Sequence, residues 1–129
     1  YCNLLEQLTT INNITYDMFN KQFINIDTNE NHYIIVIEDL QKKKIIGSGT
    51  LLIENKFIHN CKNVGHIEDI VINKQYRNNK LGGKLIKILV NIATKNNCYK
   101  VILNCSNNLI TYYKKIGFGK EINSMVYRF

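Results

Sequence analysis

Two adjacent carboxylates, Glu68 and Asp69, are followed by the apolar run Ile70, Val71 and Ile72, then by Arg77, and then by Leu81, Gly82 and Gly83. Adjacent residues of a strand face opposite sides, so one of the two carboxylates at most points into a given cleft. There it either rests in solvent or an ion pair, or serves as a proton acceptor. The glycines carry a different chemistry. The first N–H groups of a helix lack intrahelical partners and the helix dipole favours an anion beside them. Gly82 and Gly83 would let such an anion approach closely. Exposed turn or phosphate cradle are the two readings of Arg77, Asn78 and Asn79, and the convergence of helix-opening amides favours the cradle.

These residues need a strand, a loop and a helix to place them. His66 to Ile72 is rich in β-formers. Asn73 to Lys80 is basic loop. From Leu81 onward, Leu85, Ile88, Leu89 and Ile92 recur at helical spacing. Before this unit, Cys2 to Leu8 reads as the end of a helix. A second helix is expected from Thr15, a candidate N-cap, through Phe23. Strands are expected over His32–Glu38 and Ile45–Ile53, joined by a charged hairpin turn, with Gly47 and Gly49 permitting a bulge or close packing. Glu54 to Val64 reads as a short strand and a loop. After the unit come a strand over Tyr99–Cys105, a short helix over Leu109–Ile116 closed by Gly117, and a last strand over Met125–Phe129. Two strands joined by a helix form a parallel crossover. The fold class is thus mixed α/β: a single domain with a central mixed sheet and helices on both faces.

The 129 residues are enough for a real core. No apolar run approaches the roughly 18 residues of a membrane span, and no signal peptide is visible. The four cysteines show no CxxC spacing and read as reduced, buried thiols of a cytoplasmic protein. The histidines do not pair with them at ligand spacing, so no metal is expected. A net charge of +7 suits an anionic partner, although the abundance of Asn, Lys and Ile throughout offers a compositional explanation instead.

Arg77-Asn78-Asn79-Lys80-Leu81-Gly82, followed about thirty residues later by Tyr113-Lys114-Lys115-Ile116-Gly117-Phe118, resembles the GNAT acetyltransferase superfamily. Four further blocks are similar to the glucosamine-6-phosphate N-acetyltransferase family. They are Leu8-Thr9-Thr10, Ile53 to His59, Gly65 to Val71, and Cys98 to Leu103. Together they cover most of the chain.

The resemblance implies a GNAT fold that binds acetyl-CoA and acetylates the amine of D-glucosamine 6-phosphate by direct attack in a ternary complex, feeding UDP-GlcNAc synthesis. It implies that the backbone of Ile70, Val71 and Ile72 pairs with pantetheine, and that Arg77, Asn78, Asn79, Lys80, Leu81, Gly82 and Gly83 hold the pyrophosphate. Tyr113 would protonate the departing thiolate and Glu68 would act as base. Thr9, Lys56, His59, Asp69, Tyr99, Lys100, Asn104 and Arg128 would receive the amino sugar. The last strand would cross to a partner subunit, implying a homodimer. The chain departs from the family where Asn78 and Lys80 replace glycines, Asn104 replaces an acid and Leu109 replaces Asn. The family also has a strand before the first helix, whereas this chain begins inside that helix, so the first strand is expected to be missing.

Alternatives are a GNAT enzyme for a polyamine or a protein amine, and a non-catalytic CoA- or nucleic-acid-binding module. The basic set argues against a cationic acceptor. The absence of an aromatic stacking platform argues against nucleic acid as a partner.

Overall fold

The computed structural model describes residues 1–121 and 125–126. Arg128, most of the expected last strand and any contact it makes lie outside that range. The element order is α1 (Cys2–Leu5), α2 (Tyr16–Asp27), β1 (His32–Asp39), β2 (Lys44–Glu54), α3 (Ile58–Cys61), β3 (Asn63–Ile72), α4 (Leu81–Lys95), β4 (Cys98–Ile102) and α5 (Ile110–Ile116). Short 3-10 turns at Lys74–Tyr76 and Asn107–Leu109 precede α4 and α5. Thr15 caps α2 as expected, accepting the Met18 N–H at 3.2 Å. Gly117 ends α5 at φ 113, a left-handed conformation that glycine adopts without a Cβ penalty.

The sheet runs β1-β2-β3-β4. β1 and β3 flank β2 in antiparallel register, and β4 pairs with β3 in parallel. The crossover through α4 is therefore the one the sequence predicts. One sheet face packs on α4 through Leu51, Ile53, Ile67, Leu85, Ile86, Leu89 and Ala93, all buried. On the other face, α1 buries Leu4 against β2 and β3, and the hydroxyls of Ser48 and Tyr1 meet at 3.5 Å.

Three expectations change. The Glu54–Val64 segment holds no separate strand. It turns through α3 with left-handed backbone at His59, Asn60 and Cys61, and β3 begins at Asn63. The expected strand Tyr99–Cys105 stays in the ladder only as far as Ile102. All four cysteines are free, but Cys61 and Cys105 are exposed and Cys2 and Cys98 only half-buried, so they are not the buried thiols expected.

Candidate active site: an open strand edge beside a carboxylate cleft

The β3–β4 ladder ends where His66 pairs with Ile102. Beyond that point β3 runs on to Ile72 with no strand partner on its β4 side among the described residues. Its other side stays paired with β2, and the Asn73 N–H donates to the Ile46 carbonyl at 2.8 Å. Backbone groups of a strand alternate in direction, so Asn73 and Val71 face β2 while Ile70 and Ile72 face outward. Ile70 and Ile72 are therefore the residues that an added strand could meet. Val71, expected to join them, turns its backbone to β2.

A bulge interrupts β3 at Asp69. The register with β2 passes from Thr50↔Glu68 to Ser48↔Val71, and Asp69 takes a left-handed φ of 52. One extra residue reverses the facing of everything after it. Ile67 packs on the α4 side before the bulge, and Ile70 and Ile72 do so after it. Gly49 and Gly47 of β2 leave room for them: a methyl group at Gly49 would stand 2.5 Å from Ile70 Cδ1, and one at Gly47 2.8 Å from Ile72 Cδ1. The bulge also breaks the strict alternation on which the opposite facing of Glu68 and Asp69 was expected. Glu68 and Asp69 both line a cleft of about 410 Å³, together with Thr9, Ile70, Asn104 and Tyr113.

Leu8, Ile67, Leu103, Cys105, Ser106 and Leu109 complete that cleft, and of these only Leu109 is singled out in the sequence, as a departure from the family. Asn108, the neighbouring residue that could supply the missing amide, is engaged within its own loop. Its side chain accepts the Ser106 hydroxyl. Tyr113 is half-buried, edge-on to Tyr112 at 5.2 Å and to Phe118 at 5.9 Å. Burial foremost, then the neighbouring Tyr112 and Cys105, pushes its phenol above the ordinary tyrosine value. It is thus a protonated donor at neutral pH.

Past Ile72 the chain enters the loop that opens α4. Arg77 Nε donates to the Ile72 carbonyl at 3.0 Å, occupying one outward-facing group of the open edge. Asn78 and Lys80 adopt left-handed φ values of 69 and 58. These are the positions where the family carries glycine, and the backbone explains why. Lys80 is the N-cap of α4 and supplies no side-chain cap. The N–H groups of Asn78, Asn79, Lys80, Leu81, Gly82 and Gly83 find no backbone acceptor among the described residues. Such a run of free donors at a helix N-terminus fits a pyrophosphate.

Lys56, His59 and Lys100, three of the expected phosphate-binding cations, are engaged elsewhere. Lys56 is paired with Glu54, which also takes His66 Nε2 at 2.9 Å. The Lys56 and then the His66 contact hold the Glu54 carboxyl below the usual carboxylate range. His59 stacks on Tyr99 with ring centroids 4.1 Å apart, and Lys100 lies 3.7 Å from Glu121. None of Lys56, His59, Tyr99 and Lys100 lines the cleft. Among the described residues no cluster of His, Cys, Asp and Glu could hold a metal ion, and no helix is long and apolar enough to cross a membrane.

A parallel pair that splays at a bulge and opens onto a helix N-terminus is the architecture of the acetyltransferase (GNAT) family, whose sequence pattern matches residues 3–118. The chain belongs to that family. Within it, the chain stands with the glucosamine 6-phosphate N-acetyltransferases. It is 37% identical to that of Arabidopsis thaliana over 122 residues, spanning 94% of this chain and 82% of the relative. It is 39% identical to a probable one of Drosophila melanogaster over 133 residues, spanning all of this chain and 60% of the relative. The crystal structure of the Arabidopsis enzyme superposes with a TM-score of 0.96 at 36% identity, covering 100% of this chain and 88% of that one. An acetyltransferase of Trypanosoma brucei superposes at 0.89 with 31% identity, covering 98% of this chain and 89% of that one.

Proposed function

We propose that this chain transfers the acetyl group of acetyl-CoA to the amine of D-glucosamine 6-phosphate, giving N-acetyl-D-glucosamine 6-phosphate for UDP-GlcNAc synthesis. The observation that carries the reading is the cleft where Glu68, Asp69 and Tyr113 meet beside the open edge of β3. The named relatives supply the substrate class.

Acetyl-CoA supplies an activated thioester. The open edge at Ile70 and Ile72 offers its backbone to the pantetheine amides as a neighbouring strand would, and its N–H groups can polarise the thioester carbonyl. The free N–H groups from Asn78 to Gly83 receive the pyrophosphate. Arg77 adds its charge there while tied to Ile72. Glu68, directly or through water, takes a proton from the acceptor ammonium, because only the neutral amine is a nucleophile. The C–N bond forms as the C–S bond breaks, the Tyr113 hydroxyl passes its proton to the departing thiolate, and the second proton shed by the acetylated nitrogen, relayed by water, restores the Tyr113 hydroxyl. Asp69, Thr9 and Asn104 hold the sugar.

A homodimer belongs to the same proposal, with the C-terminal strand carrying Arg128 to the partner's site. Its support is that Lys56, His59 and Lys100 do not line the cleft of their own chain, while a sugar phosphate calls for cations. A cytoplasmic setting, where both substrates are met, completes the reading. Thiol release from acetyl-CoA with glucosamine 6-phosphate, and with glucosamine as control, tests it. Turnover is expected only with the phosphorylated sugar, and no turnover with it sinks the proposal.

A further inference from the structure

The loop from Arg77 to Gly83 has an awkward structure to maintain. It carries two non-glycine residues at left-handed φ, and its amides from Asn78 to Gly83 bond to no backbone acceptor among the described residues. Left-handed non-glycine residues persist where surrounding contacts over-determine them. The contacts at this loop's entrance converge on Tyr76. Its N–H donates to the Asn73 carbonyl at 2.8 Å, and its hydroxyl donates to Asp39 Oδ2 at 2.6 Å. Asp39 is held in turn. Its other oxygen accepts the N–H groups of Gln41 and Lys42, each at 3.1 Å, which form the tight turn between β1 and β2. Lys42 Nζ lies 5.2 Å from the centroid of the Tyr76 ring. The hydroxyl of Tyr76, then the Lys42 N–H, keep the Asp39 carboxyl below its usual value, so it is ionised at neutral pH. The residue after Tyr76 is Arg77, fixed to the Ile72 carbonyl.

We infer that Asp39 and Tyr76 are positioning residues for acetyl-CoA: the β1–β2 turn, through the Tyr76 hydroxyl, fixes the loop whose amides receive the pyrophosphate. Neither side chain is among the groups lining the carboxylate cleft. Their effect is therefore confined to the half of the donor that carries phosphates. The inference rests on the acetyl-CoA reading above and adds a control element remote from the reacting atoms.

The test compares acetyl-CoA with acetyl-pantetheine, which keeps the thioester and lacks the pyrophosphate. Tyr76→Phe, which removes only the hydroxyl, is expected to raise KM for acetyl-CoA about three- to ten-fold, the range of one net hydrogen bond. Its kcat, its KM for glucosamine 6-phosphate and its kinetics on acetyl-pantetheine should match wild type. Asp39→Asn keeps an acceptor for the turn and should shift the acetyl-CoA KM in the same direction. The double variant should add little to Tyr76→Phe. Equal losses on both donors, or no loss on acetyl-CoA, overturn the inference. Calorimetric titration with CoA separates the two levels. If wild type binds no CoA, the function reading falls together with this one. If wild type binds and Tyr76→Phe binds equally well, only this inference falls.

Discussion

Tyr112 stands over Gly82 so closely that a methyl group there would lie 2.6 Å from its hydroxyl oxygen. The missing side chain at position 82 thus admits a tyrosine of α5, and not merely a ligand, to the first turn of α4. Gly82→Ala should push the part-exposed Tyr112 hydroxyl aside and raise the acetyl-CoA KM, with only a small stability loss. Tyr112→Phe should suppress most of that loss, since the next contacts, Ile72 Cγ1 at 3.7 Å and Tyr112 Cζ at 3.8 Å, are ordinary. Thermal denaturation of the single and double variants measures the coupling, and additive effects would refute it.

Lys80 sits at φ 58, where an L-residue is strained by about 1–2 kcal/mol. Lys80→Gly should raise the melting temperature, the relief of strain exceeding the entropy cost of glycine. Asn78→Gly, at φ 69, should do less, because Asn tolerates this conformation better than Lys. A lower melting temperature for Lys80→Gly would contradict this account of the loop.

Because Tyr113 is pushed above the ordinary phenol value, foremost by burial, its proton is retained well into alkaline conditions. The high-pH decline of kcat should therefore lie above the ordinary phenol pKa of about 10. Tyr113→Phe should lose about 10²-fold or more in kcat, as befits removal of a general acid. It should also abolish the decline due to this group. A pH–rate profile of both proteins reads the two effects together, and a variant keeping full kcat removes Tyr113 from the chemistry.

Gly49 faces Ile70 at 2.5 Å, Leu89 at 3.0 Å and Leu85 at 3.3 Å from the position of a built Cβ. These neighbours belong to the packed core or lie against it, so they have little room to move. Gly49→Ala should destabilise by about 1–3 kcal/mol and disturb the strand just after Asp69. Urea denaturation gives the stability change, and a neutral result would show that the core yields there.

The parallel crossover and the capped helices were legible because hydrophobic period and end signals agree over long stretches. Leu85 and Leu89 mark the buried face of α4, and Thr15 and Gly117 mark helix ends. The bulge was not legible. Glu68-Asp69-Ile70 alternates no differently from a regular strand, and only the pairing with Thr50 and Ser48 reveals the extra residue. The same applies to His59. Its left-handed backbone accompanies a ring contact with Tyr99, forty residues away in sequence. The family resemblance did point to Thr9, Asn104 and Tyr113, which share a cleft. It also pointed to Lys56 and Lys100, whose charges are met by Glu54 and Glu121. Charge was visible in the sequence, while the identity of its partner was not. Tyr76 passed as a loop aromatic because the acceptor of its hydroxyl lies on another hairpin.

The single supernumerary residue of β3 acts as a phase shifter for the chain downstream. Were Asp69 instead taken into the ladder as an ordinary paired residue, the strand would alternate strictly through it. Val71 would then turn toward α4, while Ile70 and Ile72 would move to the opposite face. The outward backbone groups would fall on Val71 instead, and the chain would leave the sheet rotated by half a turn. Arg77 and the amides that follow it would then start from the wrong side of the sheet. Asp69 therefore sets, by standing outside the alternation, the address of every ligand-facing group between Ile70 and Gly83, apart from anything its carboxylate does.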